Sequence, residues 1–136
     1  MKWHNALAVL AFTACNSQAA PTGGLPDALL ACQRGAAHAE IHIAGDVVRV
    51  LGVRHGPSGA HEGFTVASNV PKSRLLPNVR IEDNIDITGY IPLRAGDHVE
   101  LEGQYECNDG VVHWTHRDPA GRHVSGYVNV NGRTYQ

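Results

Sequence analysis

A mainly β fold, a small OB-like barrel of about five or six strands with one short N-terminal helix, is the class this sequence predicts. Three observations carry it. From His98 to Cys107, Val99, Leu101, Gly103, Tyr105 and Cys107 alternate with His98, Glu100, Glu102, Gln104 and Glu106, the period of a strand with one dry face and one wet face. Turn chemistry recurs at short intervals along the chain, at His55–Gly59, Arg94–Asp97, Asn108–Gly110 and Asn131–Gly132. Helical spacing is found in one stretch, near the N-terminus.

That helix is expected from Pro26 to about Gly35, with Pro26 in the first turn and Gly35 as the left-handed stop. Leu25, Ala28, Leu29, Cys32 and Ala36 make one apolar stripe along it, so it should cap the sheet. The period then changes to two. Ile41 and Ile43 lead into Val47–Val53, with Gly45 marking a bulge or bend. Gly63–Ser68 reads as a second strand, followed by a loop that contains Pro71 and Pro77. Val79–Thr88 reads as a third strand, with Val79, Ile81, Ile85 and Ile87 as its apolar positions. After His98–Cys107, Val111–Thr115 pairs back, and Gly126–Val130 with Arg133–Tyr135 forms a last hairpin. The phrase Leu93–Gly103 has the turn, strand and glycine of OB-type barrels, where the glycine lets the strand coil sharply.

The 136-residue length suits one domain, and 43% hydrophobic against 18% charged residues suits a globular chain. A formal net charge of -2 gives no global field toward nucleic acid or anionic lipid. Residues 1–19 read as an export signal. Lys2 precedes the apolar run Ala6–Ala14, which is too short to span a bilayer. Two cleavage readings stand side by side. Phe12-Thr13-Ala14-Cys15 resembles a lipoprotein box ending before a lipidated Cys15, whereas Ser17-Gln18-Ala19 is an ordinary small-x-small site. Residues 20–25 then form a linker, and 26–136 one barrel-like domain. The product would be periplasmic, anchored to the outer membrane through lipid, or secreted, with the lipid as its sole tie to a membrane. With Cys15 lipidated or removed, Cys32 and Cys107 remain, either bridged or as two buried thiols.

The chain holds nine histidines, and their distribution is uneven. His113-Trp114-Thr115-His116-Arg117-Asp118-Pro119-Ala120-Gly121-Arg122-His123 places three imidazoles, a carboxylate and two guanidiniums together. A bend at Thr115 would bring His113, His116 and then His123 toward one point. Such a set suits a transition metal such as zinc, with Asp118 as ligand or as orienter of an imidazole and Trp114 as a wall. His61 is the best additional ligand, beside Phe64. The spacing is less specific than a His-Glu-x-x-His helix. The plainer alternative has His113 and Trp114 packing the barrel while His116 and His123 cap backbone groups. His38, His42, His55 and His98 read as surface residues.

Residues His61–Phe64, Asn84–Ile87, Gly96-Asp97, Gly103–Glu106, His113–Pro119, Gly121–His123 and Gly132–Gln136 carry a resemblance. Through them, Val47–Gln136 resembles an uncharacterised family of small exported bacterial proteins, domain of unknown function 3465. The resemblance implies export and the fold, and brings no established activity. The chain departs from the family pattern at Asp83, where members usually carry a histidine before the Asn-Ile-Asp triplet, and in a longer loop around Pro71–Pro77. If that histidine is a ligand, Asp83 would replace it with an oxygen donor.

Three functions follow as expectations. The first is a binding module for a transition metal, or for a small or anionic ligand, in the cell envelope. The second is a hydrolase of phosphodiesters, with His113 or His116 as general base, Asp118 fixing its tautomer, and Arg117 and Arg122 binding the anion. Val111–Gln136 holds three arginines against one aspartate, which favours an anionic substrate. The third is nucleic-acid or oligosaccharide binding on a barrel face, for which the chain offers few aromatic platforms.

Overall fold

The computed structural model describes residues 23–68 and 78–136. The export signal of 1–19, Cys15 and the loop around Pro71 lie outside the described residues. Helix α1 is Leu25–Gln33 and begins one residue earlier than expected. Pro26 sits in its first turn, and the Asp27 carboxylate accepts the Gly24 N–H at 3.0 Å, which satisfies a donor the helix cannot. The last linker residues are already tied to the fold, since Gly23 bridges Ile41.

Strand β1, His38–Gly56, is long and serves two neighbours. Its first half pairs with β4, His98–Glu106, and its second half with β2, Gly59–Ser68. The register slips between Val47 and Arg49 and between Val50 and Gly52. The bulges therefore fall beyond Gly45, where one was expected. Gly45 instead pairs with both Ser68 and Val99, and a Cβ there would stand 2.0 Å from the Ala67 carbonyl oxygen. Only glycine allows that crossing of strands.

β2 pairs antiparallel with β3, Asn78–Asn84, and β3 runs parallel to β5, Val111–His113. β5 returns antiparallel to β4, so the ring β1-β2-β3-β5-β4 closes on β1. A closed ring of five strands in this order, with one parallel pair, is OB-like, as expected. β6, Tyr127–Val130, continues along the edge of β4 where β5 ends, and β7, Arg133–Tyr135, pairs with β6. The core is the inward set of these strands, including Ile41, Phe64, Ile81, Val99, Leu101, Val112 and Val128. Leu25 and Ala28 of α1 close one end. Cys32 and Cys107 form a disulfide that ties α1 to the chain just after β4.

The third strand is shorter than expected. It ends at Asn84, and Ile85–Thr88 forms a one-turn helix, α2, rather than continuing the strand. Asn84 accepts the Asp86 N–H at 3.1 Å, and Asp86 accepts the Ala60 N–H at 2.9 Å. These side chains give the backbone an alternative to the sheet ladder, and Ile87 is left exposed. Among the described residues no helix is long and apolar enough to cross a membrane.

Candidate functional site

Strands β5 and β6 lie one after the other along the same edge of β4, so residues 114–126 form an excursion between them. The chain leaves the sheet at Trp114, whose φ is +59°. The bend thus falls one residue before the expected Thr115. It closes again at Gly126, whose N–H donates to the His116 carbonyl at 2.9 Å. Thr115 stays buried at the base and donates to Asp83 Oδ1 at 2.5 Å.

Asp118 organises this loop. Its carboxylate accepts the backbone N–H groups of Ala120 at 3.0 Å, of His123 at 2.6 Å and of Arg122. Burial alone would raise this carboxyl. The three N–H donors and the adjacent His123 outweigh it, and hold Asp118 below the usual carboxylate range. Asp118 Oδ2 lies 3.8 Å from His123 Nε2, beyond hydrogen-bond reach. Its oxygens therefore serve the loop backbone rather than an imidazole.

The imidazoles share a second feature. His116 Nδ1 lies 2.8 Å from the Arg117 carbonyl, His123 Nδ1 lies 2.8 Å from the Val124 carbonyl, and His61 Nδ1 faces the Gly59 carbonyl at 3.3 Å. A carbonyl only accepts, so each Nδ1 carries a proton, and in the neutral ring the acceptor is Nε2. In His123 that Nε2 is buried and without a partner.

Two groupings result, joined at His116. In the first, His61 of β2 and His113 of β5 line a two-part cleft bounded by the β1–β2 turn, β3 and the Asn108–Gly110 turn. The larger part is about 720 Å³ and adds Arg54 and Arg80. The smaller part is about 320 Å³ and adds Trp114 and His116. In the second grouping, the Trp114 ring centroid lies 4.5 Å from that of His123 and 5.9 Å from that of His116. The two imidazole centroids are 4.9 Å apart. Trp114 thus lies beside both groupings. The four proposed ligands do not meet at one point. Among the described residues no three His, Cys, Asp or Glu side chains are grouped as a metal ion would need.

The guanidiniums differ from expectation. Arg117 and Arg122 are exposed, and neither lines the cleft. Arg54 and Arg80 line it instead, and both converge on Glu82, with Arg54 Nη2 2.6 Å from Glu82 Oε1. Outward parity on β3, with Arg80, Glu82 and Asn84 set against Val79 and Ile81, was the available signal for Arg80.

Two acids sit inside the ring. Glu62 and Asp83 are directly paired across β2 and β3, and both are buried. Burial pushes Asp83 upward, against hydroxyl donation from Thr115 and Thr88 and the nearby His116 and His61. Glu62 is also raised by burial, opposed by the Ile91 N–H and reinforced by the charge of Asp83. Asp83 is therefore engaged from within the ring rather than offered to the cleft as an oxygen donor.

Residues 12–136 match the family described as protein of unknown function (DUF3465). No curated protein matches the chain, and no solved structure does.

Proposed function

For a chain that belongs to this family of unknown function, we propose a role as a binding module that takes a small anionic ligand in the histidine-lined cleft. One observation carries this reading: His61, His113, Arg54 and Arg80 come from four different strands and converge on one concave surface. Two guanidiniums share the single carboxylate of Glu82, so several of their N–H donors remain for an anion. The arginines line only the larger part of the cleft and Glu106 only the smaller, while Glu82 and Asp109 line both. The anionic end of a ligand then belongs over Arg54 and Arg80, with its hydroxyl groups toward the Nε2 lone pairs of His61 and His116. The cleft uses the face and turns that OB-type folds use for ligands, which supports the reading by analogy only.

Export to the cell envelope belongs to the same proposal. The Cys32–Cys107 bridge supports an oxidising compartment, and the lipid on Cys15 is the alternative to a soluble mature form.

The test is calorimetric titration with inorganic pyrophosphate. Saturable binding is expected, and Arg80→Gln or His61→Gln should weaken it by roughly tenfold, about 1.4 kcal/mol. Absence of binding to phosphate, pyrophosphate and small carboxylates alike, or variants that bind as the parent does, would refute the reading.

A second reading, hydrolysis, has one specific observation behind it. His116 Nδ1 is fixed on a carbonyl while His116 lines the smaller cleft, the arrangement of an oriented general base. Under that reading His116→Gln loses turnover of a phosphodiester while pyrophosphate binding is kept.

A further inference from the structure

We propose that the cleft takes a small zwitterion, with a phosphate end over Arg54 and Arg80 and an ammonium end against Trp114, Glu106 and Asp109. Such a ligand presupposes the anion cleft proposed above and gives it a second, cationic end. The starting point is the uneven charge of the two parts. The larger part holds both arginines. The smaller part is lined by three carboxylates, Glu82, Glu106 and Asp109, and by no Lys or Arg among the described residues. Glu82 is already paired with both guanidiniums. Glu106, which is half-buried, and the exposed Asp109 enter no ion pair among the described residues. A ligand with anionic charge alone would meet those two carboxylates uncompensated at the smaller end.

The uncharged groups of the smaller part point the same way. His116 is 4% exposed, lines this part, and spends Nδ1 on the Arg117 carbonyl at 2.8 Å. The nitrogen left for the cavity is Nε2, a buried acceptor without a protein donor among the described residues. His61 is arranged alike, with Nδ1 facing the Gly59 carbonyl. An acceptor left unmet in a covered site costs stability, and a phosphate oxygen cannot meet it, because it only accepts. An ammonium brings three N–H donors and no acceptor. The indole of Trp114 adds a third kind of contact. It is 40% exposed and lines the same part, with the His123 ring packed against it at 4.5 Å. The face of an indole attracts a cation held over it. Carboxylates, imidazole acceptors and an indole make one end of the cleft a cation wall, continuous with the guanidiniums of the other.

The test compares two phosphate monoesters of equal size, phosphoethanolamine and propyl phosphate, which differ by an ammonium in place of a methyl. Calorimetric titration of the full chain near neutral pH should give phosphoethanolamine the tighter binding, by roughly tenfold. Glu106→Gln should move the two in opposite directions. It should weaken phosphoethanolamine by roughly tenfold and tighten propyl phosphate by roughly twofold, whereas a variant that merely folded less well would weaken both. In the unaltered chain, phosphoethanolamine should shift the backbone amides of Glu106, Asp109 and Trp114 beyond the shifts that propyl phosphate gives. The same pair of charges occurs in a free phosphorylated amine and in a lipid headgroup, so phosphatidylglycerol vesicles with and without phosphatidylethanolamine form a second arm. Retention that depends on phosphatidylethanolamine assigns the headgroup as source, and a titration response without retention assigns a soluble ligand; both uphold the zwitterion. Equal affinity for the two esters, a Glu106→Gln effect of the same sign on both, or binding of pyrophosphate without either ester would overturn the proposal and leave the anion cleft standing. Failure of both esters and of pyrophosphate would overturn the two together.

Discussion

Three acids of this protein, Glu62, Asp83 and Asp118, fall into two opposite electrostatic situations, and the difference is measurable. Glu62 and Asp83 are raised by burial. A carboxyl raised in the folded state stabilises fully below its unfolded pKa, and that contribution is lost as pH rises through the folded value. Glu62→Gln removes the ionisation while keeping an oxygen for the Ile91 N–H. It should therefore raise the melting temperature at about pH 8, with little effect at about pH 4. Asp118 is lowered by its backbone donors. Its contribution is present above the unfolded carboxylate pKa and is lost as pH falls through the lower folded value. Asp118→Asn should accordingly flatten the acid side of the stability profile and loosen residues 118–123, as read by amide exchange. The identity of the histidine motif was legible at this scale, because the residue types are dense there. The roles within it were not. Asp118 looks like a partner for an imidazole until the turn brings three N–H groups to it. Glu62, on the inward parity of its strand, gives no sign in the sequence that its carboxylate caps Ile91.

Among the elements, the excursion between β5 and β6 depends on two close backbone approaches. A Cβ at Gly126 would lie 2.3 Å from the Glu102 carbonyl oxygen and 2.4 Å from that of Trp114. A Cβ at Gly103 would meet the His113 carbonyl oxygen at 2.6 Å. Gly126→Ala should destabilise by roughly 1–3 kcal/mol, as overpacking does, and should disturb the Trp114 and His123 resonances well before it affects α1. Unchanged resonances and stability would contradict this tight seam. The alternation of His98–Cys107 reported β4 correctly because one face is dry and the other wet. The same period misled at Asn84–Thr88. There Ile85 and Ile87 keep the rhythm of a strand, but Asn84 and Asp86 take backbone N–H groups and wind the chain into α2. Side-chain competition for the backbone, rather than hydrophobic pattern, decided that segment.

For the whole molecule, ring closure and the disulfide set the frame in which the site is held. Cys32 and Cys107 are 75 residues apart, and closing a loop of that length in the unfolded chain stabilises by roughly 3–5 kcal/mol. Replacing both with alanine should lower the denaturation midpoint accordingly and, because Cys107 stands between Glu106 and Asn108 of the cleft wall, should also shift the amide resonances of that turn. Where the strands fall could be anticipated from periodicity and turns, although seven form where five or six were expected. The pairing of β3 with β5 could not, because a parallel contact between distant segments leaves no local mark. That pairing is what sets Arg80 and Glu82 beside His113, and it explains why the sequence points to the exposed Arg117 and Arg122 rather than to Arg80.

The central claim is the anion cleft, and backbone amide chemical-shift mapping with inorganic pyrophosphate tests it most directly. Shifts concentrated at Ser58–His61, Arg80–Asn84 and Val111–Trp114 are the expected result. Shifts confined to α1 or to the β6–β7 hairpin, or none at saturating pyrophosphate, would contradict it.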